Sequence, residues 1–490
     1  MKNMALQPAY GDRGMKSGHF SSHPTRRQLL RGSLSLTLSA LLAACSTRQS
    51  PVVTAPATLS TSPSPTAQIT PETVQVSPTV RPQPRIDVSP STALVDAPVS
   101  LRLAGLPPQQ EVMLAASVSF TAGTYRSSAL FRSDAQGLVD VATQAPLSGT
   151  YRDPDAMGLF WSMAVTPGTN ASPSSSRVFA VPPPWAMTFA ASVAGTMVAS
   201  ATIERRFVDP VVTRIPVRDH GLVGTLFLPE GPGPHPGLLS WGGSSGGYSE
   251  TQAALLASHG YAALALAYFG VPPLPENLIN IPLEYFETAI GWLQAQAGVN
   301  GDRLAVVGTS RGGELALLVG ATFPQIKAVV GYVPSGLLWP GIGNVPYGQS
   351  RAAWTYRGMP LPFVTTSLTG FAYADPTERE QATIPVEQIN GPVLLISGED
   401  DALWPSTKLA QVAMDRLGQY RHPYPDRHLH YAGAGHLIGE PYLPTTAATS
   451  YYNPTVKATL NVGGNAKGYA AAAADSWPQV LSFLQDSIGK

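Results

Sequence analysis

Cysteine is almost missing: Cys45 is the only one in 490 residues, so no disulfide can form within the chain. Charge is scarce too. Only 13% of residues are charged and 31 basic residues balance 31 acidic ones. No basic field gathers nucleic acid, and that class is excluded. No apolar run after the first 45 residues reaches the ~20 residues a helix needs to span a bilayer. His428 and His430 stand two apart, but no third ligand accompanies them, so no metal site is read; no cofactor is expected. What remains is a chain with a 44% hydrophobic fraction, long enough for two domains plus extensions.

The single cysteine has a telling neighbourhood. Thr25-Arg26-Arg27-Gln28-Leu29-Leu30-Arg31 resembles a twin-arginine export signal. The apolar stretch from Leu34 to Leu42 has the length of a signal-peptide core rather than of a spanning helix. Leu42-Ala43-Ala44-Cys45 resembles a bacterial lipobox, in which the cysteine is lipidated and becomes the first mature residue. A cut by ordinary signal peptidase would leave Cys45 a bystander, but the position of the only cysteine favours lipidation. Residues 1–45 are therefore expected to be a lipoprotein signal, and the protein an exported lipoprotein anchored to a membrane surface on the extracytoplasmic side. Residues 46–85, rich in Ser, Thr and Pro, read as an extended linker.

Between residues 86 and 201 short β-type segments alternate with Gly, Pro and Asp turns. They include Val112 to Phe120, Tyr125 to Phe131 and Phe160 to Val165. The spacing predicts an immunoglobulin-like antiparallel sandwich without a catalytic cluster of its own. From residue 202 to 490 strand-like runs alternate with helical ones, which predicts a mostly parallel sheet covered by helices on both faces. Residues 334–385 are Gly/Pro/aromatic-rich with little periodicity and are expected to cap a pocket. Trp339, Trp354, Tyr356 and Phe363 in or beside it either line an acyl pocket or simply pack.

Leu304-Ala305-Val306-Val307 reads as a buried strand that stops at Gly308-Thr309-Ser310-Arg311-Gly312 and passes into a helix-forming run. G-x-S-x-G between strand and helix is a nucleophile elbow: the turn is so tight that side chains two positions either side of the serine would clash. Ser310 is the candidate nucleophile. A serine hydroxyl needs a base, oriented in turn by an acid, and in this arrangement the acid and then the histidine follow in the chain. Val393 to Gly398 ends in Glu399-Asp400-Asp401, and Gly433-Ala434-Gly435-His436 reads as a flexible turn after a strand. Asp401 is the preferred acid, Asp400 the alternative, and His436 the base. The other histidines, among them His259 and His422, read as surface or loop residues. For the oxyanion, the N–H of Arg311 is one expected donor, and Gly243 or Ser244 in Trp241-Gly242-Gly243-Ser244-Ser245-Gly246-Gly247 is the other.

The chain from Ile86 onward resembles the acyl-CoA thioesterase and bile acid-CoA:amino acid N-acyltransferase family. The resemblance is carried by Gly308-Thr309-Ser310-Arg311-Gly312, by Trp354 to Pro362, by Ile384-Pro385-Val386-Glu387 and by Gly398 to Trp404. It continues through Gly435-His436 with Glu440, Pro441 and Pro444, then Gly463-Gly464 and Asp475-Ser476-Trp477. It implies an N-terminal β-sandwich joined to an α/β-hydrolase domain, with Ser310, Asp401 and His436 at the family's nucleophile, acid and base positions. It also implies acyl thioester substrates. Members with serine resemble hydrolases, whereas cysteine accompanies transfer to amino acids, so hydrolysis through an acyl-enzyme is expected. Coenzyme A thioesters should be scarce outside the cytoplasm. A carboxylesterase or peptidase on the same residues, an acyltransferase, and a surface binding protein with an idle hydrolase domain therefore stay open.

Overall fold

Apolar runs of strand length, broken by Gly and Pro, assemble into one eight-stranded sheet. The computed structural model describes residues 83–120, 123–165, 177–343, 350–365 and 374–489; the export signal, Cys45 and nearly all of the linker lie outside the described residues. The strands are β1 (Thr213–Val217), β2 (Val223–Leu228), β3 (His235–Trp241), β4 (Ala262–Ala267), β5 (Val299–Thr309), β6 (Ile326–Tyr332), β7 (Val393–Gly398) and β8 (Arg427–Tyr431). Their spatial order is β1-β2-β4-β3-β5-β6-β7-β8. β2 runs antiparallel to both of its neighbours, and every pairing from β4 to β8 is parallel.

Parallel strands need crossovers. Helices α1 (Glu250–Ser258), α2 (Glu284–Gln294), α3 (Arg311–Thr322) and α4 (Ser406–Gln419) lie in the crossovers, and α5 (Ala466–Ile488), which follows the last strand, joins them in covering both faces. The period of two along a strand sorts the core. Leu239, Val306, Val329 and Leu395 pack with α2, α3 and α4. Their neighbours Leu238, Val307, Val330 and Ile396 pack with α1 and α5 on the opposite face. Both faces being dry, β4 and β7 are buried along their whole length, as near-continuous apolar runs require. This is an α/β-hydrolase sheet, and its strands deliver their carboxyl ends to one edge.

The N-terminal part forms two sheets, antiparallel except where Thr92–Leu94 runs parallel to Glu204–Arg206, on a shared core that includes Leu101, Leu103, Val112, Leu114, Phe131, Phe189 and Ile203. The larger orders Thr92–Leu94, Thr196–Arg206, Trp185–Val193, Glu111–Phe120, Gly123–Arg132 and Ser148–Gly149; the smaller holds Arg85–Ser89, Ser100–Ala104 and Val139–Asp140. Two local expectations change. The strand expected from Phe160 to Val165 is a buried helical turn, Gly158–Trp161, followed by the short strand Ala164–Val165. Asp155 decides this by accepting from the Met157 N–H (2.8 Å) and the Trp161 indole (2.7 Å), which closes the turn. The last sandwich strand also runs past residue 201 to Arg206, because Glu204–Arg206 still pair with Thr92–Leu94. The two parts are joined through Asp96, whose carboxylate takes the Trp477 indole at 2.8 Å and the His259 ring at 2.6 Å.

Candidate active site

The turn between β5 and α3 is as tight as its five residues demand. Ser310 sits at φ 60°, ψ −120°, a conformation that L-residues adopt only when their surroundings enforce it. A Cβ at Gly308 would lie 2.0 Å from the Gly312 carbonyl oxygen, and one at Gly312 would lie 2.3 Å from that of Gly242. Both glycines are thus required by space. The Ser310 N–H donates to Tyr332 O (2.8 Å) on β6, and its own carbonyl starts α3 by accepting from Gly313 and Glu314. Strain at the serine is held by the sheet on one side and the helix on the other.

Around it stand the other two expected groups. His436 Nε2 is 2.8 Å from Ser310 Oγ, and His436 Nδ1 is 2.7 Å from Asp401 Oδ2. The second oxygen of Asp401 accepts from the N–H groups of Leu403 (3.0 Å) and Trp404 (3.1 Å), so both oxygens are occupied and the carboxylate cannot rotate away. Asp400 is exposed and its carboxylate meets no partner among the described residues; only its backbone is engaged, with Ala434 and Gly464. Between the two neighbouring aspartates the geometry selects Asp401.

The turn carrying His436 is not the flexible loop its glycines suggest. His436 is only 3% exposed, its N–H donates to Val462 O (2.9 Å), and the Trp404 indole meets its ring edge-on. A Cβ at Gly435 would lie 2.2 Å from Val462 O and 2.3 Å from the Tyr469 hydroxyl. The glycines are there for close packing, which fixes the imidazole.

The glycine loop after β3 reaches the nucleophile. A Cβ at Gly243 would stand 2.9 Å from Ser310 Cβ, and Ser244 lies beside Ser310 at the pocket wall. The Tyr268 hydroxyl, itself buried, donates to the carbonyls of Gly242 (2.9 Å) and Gly243 (3.4 Å) and holds those peptide planes. Among the described residues, the N–H groups of Gly243, Ser244 and Arg311 meet no acceptor. The N–H of Arg311 follows the serine directly, and those of Gly243 and Ser244 belong to the loop packed against it.

The Arg311 side chain is buried, donates to Trp339 O at 2.9 Å and lies 3.3 Å from Glu314. Glu314 accepts from the Trp354 indole at 2.7 Å. Burial pushes the Glu314 carboxyl up to about 7, against the pull of Arg311, and lowers the guanidinium. The pair ties the segment bearing Trp339 and Trp354 to the elbow.

Ser310 opens into a cavity of about 430 Å³ whose apolar wall includes Trp339, Ile342, Leu403, Trp404, Val456 and Leu460. Of the four aromatics singled out in the capping segment, only Trp339 lines it. Trp354 is core, and Tyr356 and Phe363 pack against that core. The rest of the wall comes from Pro340 to Ile342 beside Trp339, from Leu403 and Trp404 behind the acid, and from Asn453, Val456 and Leu460, which carry no motif in the sequence.

His428 and His430 stay outside the site. His428 bonds Ser397 Oγ (2.8 Å) and burial lowers it to about 4, while His430 bonds Glu399 (2.6 Å). His422, expected at the surface, is buried between Asp426 and Ile389 O, and His259 is held by Asp96. Among the described residues no group of three His, Cys, Asp or Glu side chains is placed to hold a metal.

Residues 96–219 match the model described as acyl-CoA thioester hydrolase/BAAT N-terminal region, and residues 281–490 the one described as BAAT / acyl-CoA thioester hydrolase C terminal. Acyl-coenzyme A amino acid N-acyltransferase 1 of Mus musculus is 33% identical over 416 residues, covering 82% of this chain and 98% of that protein. Acyl-coenzyme A thioesterase 1 of Rattus norvegicus is 32% identical over 408 residues, covering 80% and 94%. Bile acid-CoA:amino acid N-acyltransferase of Mus musculus is 33% identical over 429 residues, covering 82% and 98%. With both halves matched in order and relatives aligned nearly end to end on a sheet that presents a serine, an imidazole and a carboxylate at one edge, the chain belongs to the acyl-CoA thioester hydrolase/BAAT family.

Proposed function

We propose that this protein is an acyl thioester hydrolase working through Ser310, His436 and Asp401. The observation that carries the reading is the unbroken pair of hydrogen bonds from Ser310 through His436 to Asp401 at the mouth of an apolar cavity. His436 takes the Ser310 proton as the oxygen attacks the acyl carbonyl. The tetrahedral oxyanion is held by the N–H of Arg311 and by that of Gly243 or Ser244. Collapse expels the thiolate, which receives the proton from His436 and leaves Ser310 acylated. Water, deprotonated by His436, then releases the carboxylic acid and restores the serine. Asp401 keeps the Nδ1 proton in place and stabilises the imidazolium without being protonated.

Serine rather than cysteine at 310 supports hydrolysis over transfer to an amine. Among the described residues the cavity lining holds one charged side chain, Arg311, already engaged by Trp339 O and Glu314, which suits an uncharged acyl chain. The leaving group is tested by comparing the purified full chain, in detergent, on acyl-CoA, p-nitrophenyl esters and aminoacyl amides. The expected order is thioester above oxygen ester above amide in kcat/KM. A preference for oxygen esters would reassign the protein as a carboxylesterase, and amide cleavage as a peptidase.

The immunoglobulin-like reading of residues 86–201 is supported by two largely antiparallel sheets on one core, with a structural role. The extracytoplasmic, lipid-anchored location is supported by the twin-arginine pattern and the position of Cys45. Among the described residues no helix is long and apolar enough to cross a membrane. Cys45→Ser is expected to move the protein from the membrane to the soluble fraction, scored by fractionation and blotting. Retention in the membrane would overturn the anchor.

A further inference from the structure

One wall of the cavity, which carries no motif, is a two-stranded hairpin, β9 (Ser450–Asn453) and β10 (Ala458–Asn461). Isolated two-stranded hairpins are marginal in water, so one that must hold the shape of a pocket needs pins. Two are present. Asn453, 0% exposed, caps its own turn by accepting from Thr455 N (2.9 Å) and Val456 N (3.2 Å). Its amide donates to Ser244 Oγ at 3.0 Å, joining the tip to the candidate oxyanion loop. The second pin arrives from the N-terminal part of the chain. Arg177 Nη2 donates to Pro454 O and Nη1 to Thr455 Oγ1, both at 3.3 Å, so one guanidinium grips two consecutive residues of the tip.

The hydrolase domain is built to admit that arginine. Gly246, Gly247 and Gly270 all have positive φ. A Cβ at Gly246 or Gly270 would stand 2.8 or 2.4 Å from Arg177 Nη1, and one at Gly247 would stand 1.6 Å from Arg177 O. Tyr248 N also donates to Arg177 O (2.9 Å), and Val178 pairs with Tyr248. Gly246 and Gly270 thus make room for the guanidinium, and Gly247 for the Arg177 carbonyl. Two of these three glycines belong to the loop that also borders Ser310.

We propose that β9–β10 is the wall that sets acyl-chain selectivity, and that Arg177 is the positioning residue that clamps it over the cavity. Val456 and Leu460 are the hairpin's apolar contributions to the cavity, so chain length is read against them. This rests on the cavity beside Ser310 being the acyl site proposed above. The test therefore reads binding rather than turnover: saturated fatty acids from four to sixteen carbons displace a fluorescent fatty acid from the purified full chain. Fatty acids are not turned over, so the result stands whether or not Ser310 is the nucleophile.

The wild type is expected to show a maximum at one chain length. Leu460→Trp shortens that maximum by at least two carbons and weakens the longest chains about tenfold. Arg177→Met, which keeps length but loses the fork of donors, flattens the profile and weakens the preferred chain about fivefold; Arg177→Lys falls between. An unchanged profile in Leu460→Trp overturns the wall. An Arg177→Met variant that loses affinity equally at every length, alongside a lowered thermal midpoint, makes the arginine merely structural and overturns the clamp.

Discussion

Ser310→Ala is expected to lower kcat for thioester hydrolysis by on the order of 10⁶-fold, the loss seen when the serine of a comparable triad is removed. Labelling by a fluorophosphonate probe should disappear with it. Under the proposed mechanism the hydroxyl attacks: it sits on the strained turn with His436 Nε2 at 2.8 Å, and the alanine variant leaves that imidazole nothing to deprotonate but water. The circular dichroism spectrum should be unchanged, because the turn is set by Gly308, Gly312 and the Ser310 N–H, all of which the variant keeps. A wild type that fails to react with the probe would favour the idle-domain reading, in which the protein binds rather than cuts.

Asp401→Asn is the second large effect, a fall of about 10⁴-fold in kcat. The carboxylate accepts the Nδ1 proton of His436 at 2.7 Å, and its other oxygen is pinned by two backbone N–H groups. Those two donors keep the amide oxygen where Oδ1 was, so the –NH₂ faces His436 Nδ1. The imidazole then carries its proton on Nε2 and cannot receive the one from Ser310. Asp400→Asn, one residue away and exposed, should stay within about threefold of wild type. Steady-state kinetics on the two variants side by side decide the assignment, and a reversal of the two losses would hand the role to Asp400.

How much of this was legible follows the range over which each feature is determined. The elbow was readable because its constraint acts within five residues: no side chain fits at 308 or 312, whatever the rest of the protein does. α2 shows the same short range: Phe286, Ile290 and Leu293 repeat at helical spacing and bury one face. The segment from Phe160 to Val165 looked like a strand, since a short apolar run has no period of its own, and a single carboxylate, Asp155, closed it into a helical turn. The glycines before His436 suggested motion. Their purpose is contact with Val462 and Tyr469, which composition does not distinguish from flexibility.

The sequence by itself determined the alternation of strands and helices and the tight turn at Ser310, and it offered His436 and a choice of two carboxylates as partners for that serine. Local sterics and the alternation of buried residues act through near neighbours, and they are written in the chain. Only the tertiary structure decided that Asp401 turns inward while Asp400 faces solvent, since that depends on which N–H groups the following turn presents. Only it brought Arg177 and Asn453, 276 positions apart by their numbers (453 less 177), to the same hairpin. Contacts of that span carry no local signature, because each partner is an ordinary residue until the sheet closes and sets them side by side.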